Sequence, residues 1–220
     1  MAVAWVALGG LIGALGRPWL LHLVEQRQGS GVTVGAQRWL ALPTVIVGSA
    51  IPGLILLLSP PVGLSIVLFL AGIISWWLAC IDAAIHRLPD PLTALLAIVL
   101  ILGYGTITMI SHSNLTSLVQ AAVGGGIAFI GLFLLALFRR GALGFGDVKL
   151  GSVLGFGTAW FGFPSFLFWV LTSFISAGVV ALGLLLTKKV QARDSIAFGP
   201  WLLFGAAVSI IIQLVEGVTH

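Results

Sequence analysis

The sequence predicts an all-α, polytopic membrane protein, and two observations support that prediction. The 220 residues are 60% hydrophobic and only 7% charged, whereas a soluble domain carries about 25% charged residues; the mean hydropathy is +1.20. Apolar stretches of about 20 residues, the length that crosses a bilayer, recur along the chain. We therefore expect one integral membrane domain over residues 1–220, a helical bundle with about eight transmembrane helices.

The apolar stretches differ in quality. Several contain glycine or proline, which helices in lipid tolerate. The sixth is short and glycine-rich, so a tilted or partly re-entrant segment is an alternative to a full span. Pro18 is expected to kink or break the first. The predicted stretches are 2–24, 42–59, 62–81, 91–110, 118–138, 148–162, 164–187 and 196–215.

The basic residues predict the orientation of the bundle. Nine of the ten lysines and arginines fall in alternate connections, which the positive-inside rule assigns to the cytoplasm. Both termini are then expected outside, and the sequence from Met1 to Leu15 has no basic region before its apolar run, which favours a first spanning helix over a cleaved signal peptide. The basic connections are 25–41, 82–90, 139–149 and 188–195.

Composition also argues against several classes of function. The net charge of +4 comes from basic residues that are too few and too scattered to follow a nucleic-acid backbone. Cys80 is the single cysteine, so this sequence holds neither an intramolecular disulfide nor a zinc site built from cysteines. The histidines show no metal-ligand spacing, and no metal or cofactor is expected.

The chain has only six acidic residues, and Asp82 is the hardest of them to explain structurally. It ends the third apolar stretch, inside the helical pattern, where a carboxylate has no capping role. One interpretation is a side chain that reaches interfacial water. The other is functional, because ionisable residues within membrane segments commonly belong to functional sites. The six acids are Glu25, Asp82, Asp90, Asp147, Asp194 and Glu216.

A second polar segment, Gly144-Phe145-Gly146-Asp147-Val148-Lys149, stands out in an otherwise oily chain. Its two glycines permit a tight turn or a close approach of another backbone. Asp147 could cap the sixth helix or act chemically. Lys149 could influence the ionisation of Asp147, bind substrate, or only anchor the cytoplasmic end.

Pro89 and Asp90 open the fourth stretch. Proline with a neighbouring aspartate is ordinary chemistry for a helix start, so Asp90 is either a cap or a site residue. Charge alternation places Asp82, Asp90 and Asp147 at one membrane face. Two carboxylates brought within about 3 Å share a proton, so one can deprotonate water while the other protonates a carbonyl oxygen. Asp82 and Asp147 are therefore the candidate catalytic pair.

Three segments of the chain resemble the motifs of bacterial prepilin peptidases, which are membrane aspartyl peptidases of the GxGD type. Asp82–Thr93 reads D-x-x-x-x-x-L-P-D-x-L-T, Gly144–Leu150 reads G-x-G-D-V-K-L, and Ala197–Leu202 is similar to a late F-G-P-x-L segment. The resemblance covers about residues 65–215. It implies removal of the basic leader from type IV prepilin or pseudopilin precursors at the cytoplasmic face of the bacterial inner membrane, with Asp82 and Asp147 as catalytic residues.

The sequence departs from the longer members of that family in one respect. Those proteins carry a cytoplasmic insert with paired CxxC zinc motifs between the first two helices, associated with N-methylation of the new pilin terminus. The corresponding segment here, 25–41, contains no cysteine. N-methyltransferase activity is therefore not expected.

Two other classes of function stay open on the residues alone. An ion- or proton-coupled transporter or channel could use paired aspartates as a relay, and would place them near the middle of the membrane with inverted repeats. A non-catalytic membrane scaffold would use the acids as loop caps. The expected partners are a precursor peptide and the lipid bilayer, with no nucleic acid.

Overall fold

The computed structural model describes residues 61–85, 88–111, 115–138, 143–186 and 198–219, and within these ranges the chain is helical, without strands. The all-α class is confirmed. The first two predicted stretches, 2–24 and 42–59, lie outside the described residues together with Pro18, so the count of about eight spans stays a prediction. The six helices are α1 (Val62–Ile85), α2 (Asp90–Ser111), α3 (Leu115–Phe138), α4 (Phe145–Ala159), α5 (Phe163–Leu186) and α6 (Gly199–Thr219).

Five of these helices are long and apolar enough to cross a membrane, and α4 is the exception. With 15 residues, α4 is about 22 Å long, shorter than the hydrocarbon core of a bilayer, which is about 30 Å thick. The helix of the sixth predicted stretch is therefore too short to cross the hydrocarbon core upright, and its tilted or re-entrant course stays a prediction.

The short helix α4 lies at the centre of the described bundle, where it packs against α2, α3, α5 and α6. Its contact with α3 depends on small residues. A Cβ on Gly155 would lie 2.6 Å from Cβ of Ala128, and the Ser152 hydroxyl donates to the carbonyl oxygen of Gly125 at 3.1 Å. Without a hydrophobic driving force between helices in lipid, such close backbone approach is a main source of association. We call this contact the α3–α4 seam.

Buried polar groups connect the other helices to this centre. The Tyr104 hydroxyl on α2 donates to the Gly157 carbonyl at 3.2 Å, and the Tyr104 ring stacks on Trp160 with 4.4 Å between centroids. On the opposite side, Trp169 Nε1 of α5 donates to the Leu202 carbonyl of α6 at 3.0 Å. These bonds satisfy donors that have no water to pair with, and they hold α4 and α6 in fixed positions.

Candidate active site

Four helix ends meet at one end of the bundle: the C-terminal end of α1 and the N-terminal ends of α2, α4 and α6. Asp82 lies in the last turn of α1 and is only 4% exposed. The first residue of α6, Gly199, packs directly on it, since a Cβ there would lie 2.6 Å from Oδ2 of Asp82. Any residue other than glycine at this position would push on the carboxylate.

Leu88, in the connection between α1 and α2, ties the α4 end to the α6 end. A Cβ on Gly146 would lie 3.2 Å from the Leu88 Cβ, and one on Gly199 would lie 3.5 Å from its Cδ1. One leucine side chain thus fits against glycines of two different helices. The glycine before Asp147 and the glycine against Asp82 are brought to the same small region in this way.

Asp147 lies in the first turn of α4. Its Oδ2 accepts a hydrogen bond from the backbone N–H of Gly144, the residue before the helix, at 3.2 Å. This is the reciprocal half of a capping box, in which the third helical residue reaches back to the N-cap. The capping interpretation of Asp147 therefore describes part of its environment, and one carboxylate oxygen is engaged by it.

The electrostatics of Asp147 connect it to Asp82. Partial burial, followed by the negative charge of Asp82, raises the pKa of Asp147 from 3.8 to about 6, and the hydrogen bond from the Gly144 N–H opposes the rise. Asp147 lies outside the five candidate spans. Its carboxylate interacts electrostatically with that of Asp82, in the last turn of α1. Two neighbouring carboxylates disfavour double ionisation, so such a pair retains a proton at higher pH than an isolated aspartate does.

Lys149 and Asp90 form an ion pair across the site. Nζ of Lys149 lies 2.8 Å from Oδ1 of Asp90, and the two side chains are 39% and 69% exposed. The ammonium also lies 5.1 Å from the centroid of the Phe145 ring. Lys149 thereby links the start of α4 to the start of α2, and its charge is balanced by Asp90 beside the aspartate pair.

Pro89 fixes the start of α2. Its carbonyl oxygen accepts the backbone N–H of Leu92 at 3.1 Å and that of Thr93 at 3.2 Å, and the Thr93 hydroxyl donates to it at 3.4 Å. The proline lacks an N–H that a helix start would leave unpaired. Asp90 is therefore held at a defined helix end, within reach of Lys149.

All seven residues that the sequence singled out as catalytic or supporting lie at this end of the bundle. The sequence-based prediction of site residues did not include two that shape the site, Leu88 and Gly199. Both occur in the motifs that were recognised, L-P-D and F-G-P, but the sequence gives no sign that a leucine side chain fills the space between two glycines. Among the described residues, no three His, Cys, Asp or Glu side chains cluster as a metal site would require.

Two curated bacterial proteins share sequence with this chain. A prepilin leader peptidase/N-methyltransferase of Dickeya chrysanthemi is 30% identical over 148 residues, which is 65% of this chain and 49% of that protein. One of the same name from Pectobacterium carotovorum subsp. carotovorum is 34% identical over 141 residues, 62% of this chain and 47% of that protein. The chain thus spans about half the length of the curated relatives that it matches.

No solved structure matches the chain significantly. A family model described as the type IV leader peptidase family matches residues 66–182, a region that begins within α1 and ends within α5. That region contains both aspartates of the pair, whereas Gly199 lies beyond it. With more than half of its length matched, the chain belongs to the type IV leader peptidase family.

Proposed function

We propose that this protein is a membrane-embedded aspartyl endopeptidase that removes the basic leader from type IV prepilin-like precursors. The observation that carries the proposal is the pKa of Asp147, which burial and, second, the negative charge of Asp82 raise to about 6. Family membership supports peptide cleavage in general. The carboxylate pair supports the aspartyl mechanism, which is our own inference.

In the proposed reaction, the pair holds one proton. The ionised carboxylate accepts a proton from a water molecule as its oxygen bonds to the scissile carbonyl carbon, and the protonated carboxyl donates its proton to the carbonyl oxygen. The gem-diol collapses when the carboxyl that took the water proton donates it to the amide nitrogen, the other carboxylate accepts a proton from a gem-diol hydroxyl, and the C–N bond breaks. The leader leaves with a new carboxyl group, the mature chain keeps a new amino group, and the pair regains its original single proton.

The supporting residues have positioning roles in this scheme. Gly199 and Gly146 allow the ends of α6 and α4 to approach Asp82 and Leu88. The Gly144 N–H steadies one oxygen of Asp147. Asp90 neutralises the ammonium charge of Lys149 in their ion pair. Left unpaired, that positive charge would favour the ionised form of Asp147. With Lys149 paired to Asp90, the single negative charge of the aspartate pair stays available to a basic leader.

We place the site at the cytoplasmic face of the inner membrane, and two observations support this. Nine of the ten basic residues occur in the connections that adjoin this end of the bundle in the predicted topology. The aspartates also lie at helix ends, since α1 ends at Ile85 and α4 begins at Phe145. A transporter that relays ions through paired carboxylates would place them near mid-membrane, so the helix ends favour the peptidase.

The deciding experiment replaces each aspartate by asparagine. Leader removal from a prepilin-like precursor is measured in proteoliposomes by the change in mobility of the product on a gel. It should slow by about 100- to 10,000-fold for Asp82→Asn and for Asp147→Asn, because each change removes a proton-transfer group. Glu216→Gln, which alters an exposed acid near the far end of α6, is the matched control and should process at the normal rate. Normal processing by either asparagine variant would refute the aspartyl mechanism.

We propose cleavage without methyl transfer, although both relatives are named as methyltransferases as well. The proposal rests on the absence of paired CxxC motifs from this sequence, in which Cys80 is the single cysteine. The mass of the mature product separates the two activities. A free amino terminus is expected after incubation with a methyl donor, and a product heavier by one methyl group would contradict the proposal.

A further inference from the structure

Leu88 occupies the space where the connection between α1 and α2 meets the first residues of α4 and α6. Its Cδ1 would lie 3.6 Å from a Cβ on Gly146 and 3.5 Å from a Cβ on Gly199. The Leu88 Cβ and Cγ also adjoin the Gly146 position, at 3.2 Å and 3.8 Å. At this point a single methyl group therefore separates the beginning of α4 from the beginning of α6.

Each of these two glycines is directly connected to one member of the aspartate pair. Gly146 precedes Asp147 in the chain, and a Cβ on Gly199 would lie 2.6 Å from Oδ2 of Asp82. Because Asp82 lies against the beginning of α6, a shift of α4 relative to α6 would change the separation of the two carboxylates. Leu88 is the side chain that stands between the two helix ends.

The backbone of Leu88 has little freedom to follow such a shift. A residue that precedes proline is restricted to extended conformations. Pro89 is in turn held at the start of α2, where its carbonyl oxygen accepts the N–H groups of Leu92 and Thr93 at 3.1 Å and 3.2 Å. The Leu88 side chain also packs against the buried core of the bundle. It therefore has a fixed position from which it can determine where its neighbours lie.

Leu88 is also apolar at a place where water would change the chemistry. Burial is the largest cause of the raised pKa of Asp147, ahead of the charge of Asp82. Leu88 is itself only half-buried, so truncation to alanine would open a space that solvent can reach. A water molecule there would have carboxylate oxygens as hydrogen-bond partners, and hydration favours the ionised form of a carboxyl group.

We propose that Leu88 is a positioning residue, whose side chain sets the separation of Asp82 and Asp147 and keeps water out of the space between the helix ends next to them. This proposal rests on the proposed function, because the separation is important for catalysis only if the two carboxylates share a proton during peptide cleavage. Leu88 acts through the placement and the hydration of the pair.

Few other groups could change the ionisation of Asp147 when Leu88 is replaced. The described residues of α3 and α5 contain no titratable side chain, and those of α6 contain only Glu216, near its far end. Cys80 of α1 and Tyr104 of α2 are buried in the core. The charged groups that the described parts of α1, α2 and α4 bring to this end of the bundle are Asp82, Asp90 and Lys149.

The test is the pH dependence of precursor cleavage in proteoliposomes. In the wild-type protein, kcat/KM should fall above about pH 6, as the pair loses its shared proton. Leu88→Ala should lower kcat by about tenfold through misplacement of the pair, with KM unchanged. It should also move the fall in kcat/KM to lower pH, part of the way from about 6 towards 3.8, because hydration offsets the effect of burial on Asp147.

Two further substitutions grade the effect. Leu88→Val keeps the Cβ beside Gly146 but lacks the Cδ1 methyl group, and should show smaller changes in the same direction. Leu88→Met nearly conserves the volume of the side chain and should restore both kcat and the pH profile. If Leu88→Ala does not fold, Leu88→Val decides the question by the same measurements.

Leu118→Ala is the matched control. Leu118 is also half-buried against the core, but it lies in the first turn of α3, at the opposite end of the bundle. The same truncation there should lower the unfolding temperature and leave the pH profile unchanged. If the Leu88 variants behave like this control, Leu88 is only a packing residue and the proposal is overturned. A raised KM with an unchanged pH profile would make Leu88 a substrate contact and would also overturn it.

Infrared titration of the protonated carboxyl band gives a measurement that does not depend on cleavage. The band of Asp147, identified by its loss in Asp147→Asn, should disappear at lower pH in Leu88→Ala than in the wild-type protein. An unchanged midpoint overturns the role of Leu88, while cleavage by the wild-type protein leaves the proposed function standing. If the wild-type protein cleaves no precursor, the proposed function fails and this inference fails with it.

Discussion

Glycines are important both in the α3–α4 seam and at the aspartate end, the end of the bundle where Asp82 and Asp147 lie, but for different reasons. Both depend on glycines that let helices approach more closely than a Cβ allows. In the seam, the space beside Gly155 is taken by Ala128 and by the Gly124 carbonyl of the facing helix. At the aspartate end, the space beside Gly199 is taken by the carboxylate of Asp82. A missing Cβ stabilises the bundle in the first case and positions a carboxylate of the proposed catalytic pair in the second.

The sharpest test of this contrast is Gly199→Ala. The added Cβ would lie 2.6 Å from Oδ2 of Asp82, so the carboxylate must move by several tenths of an ångström or more. Displacing a catalytic group by about 1 Å can cost about 100-fold in rate, and we expect a loss of leader cleavage of about that size. Steady-state cleavage of a precursor measures it, with thermal unfolding as the check on folding.

The contrast between the two regions is wrong if Gly199→Ala lowers the cleavage rate only in proportion to the fraction of protein that is folded. That outcome would make Gly199 a packing residue like those of the seam. Preserved unfolding temperature with a large fall in kcat is the result that separates the two regions.

The second test applies the same change to the seam. In Gly155→Ala the new Cβ would lie 2.6 Å from Cβ of Ala128 and 2.9 Å from the Gly124 carbonyl oxygen, neither of which is a flexible side-chain end. Overpacking of this kind costs about 1–3 kcal/mol, so the unfolding temperature should fall. Gly126→Ala is the matched control, because a Cβ there meets no atom within 4 Å. Equal stability of the two variants would contradict the seam interpretation.

The third test concerns charge instead of packing. The folded pKa of Asp147, about 6, lies above its ordinary value of 3.8, so the folded protein binds more protons than the unfolded chain between these values. The contribution of this group to stability is then lost as pH rises from about 3.8 to 6. Asp147→Asn should remove that loss. The variant is expected to unfold at a higher temperature than the wild-type protein at pH 7.5, and at a similar temperature near pH 4.

A protein that becomes inactive and more stable through the same substitution has a functional group held at a cost in stability. If Asp147→Asn lowers the unfolding temperature at pH 7.5, the capping bond to the Gly144 N–H outweighs the repulsion from Asp82, and Asp147 is principally a structural residue of α4.

The sequence predicted the helical class and the positions of six helices to within a few residues, because long apolar stretches in lipid have few alternatives to a helix. Charge alternation predicted that Asp82, Asp90 and Asp147 share one membrane face; in the structure all three lie near helix ends at one end of the bundle, and the membrane face stays a prediction. Asp90 and Lys149 were individually ambiguous in the sequence; their ion pair joins residues 59 positions apart, a relation that no local pattern contains.

The contacts that complete the site depend on tertiary packing. That Leu88 fits against Gly146 and Gly199 follows from how α4 and α6 end beside the α1–α2 connection. An apolar groove also lies between α1 and α6, with Ala79 and Pro200 among its lining residues. It could not be predicted, because its walls are ordinary apolar helix faces in the sequence. Periodicity shows that such faces are apolar but does not show which pair of them leaves a gap.

The smallest expected effect belongs to the Lys149–Asp90 ion pair. Its size measures how much this ion pair contributes to the structure of the aspartate end. Both partners are substantially exposed, at 39% and 69%, and exposed pairs contribute about 0.2–1 kcal/mol. A double-mutant cycle of Lys149→Met and Asp90→Asn should give a coupling energy in that range, with cleavage changed only severalfold by the double variant. A coupling energy well above that range, or a loss of cleavage comparable to that of Asp147→Asn, would show that Lys149 or Asp90 acts on substrate. Glycine packing that places the aspartates would then be only part of what makes the site work.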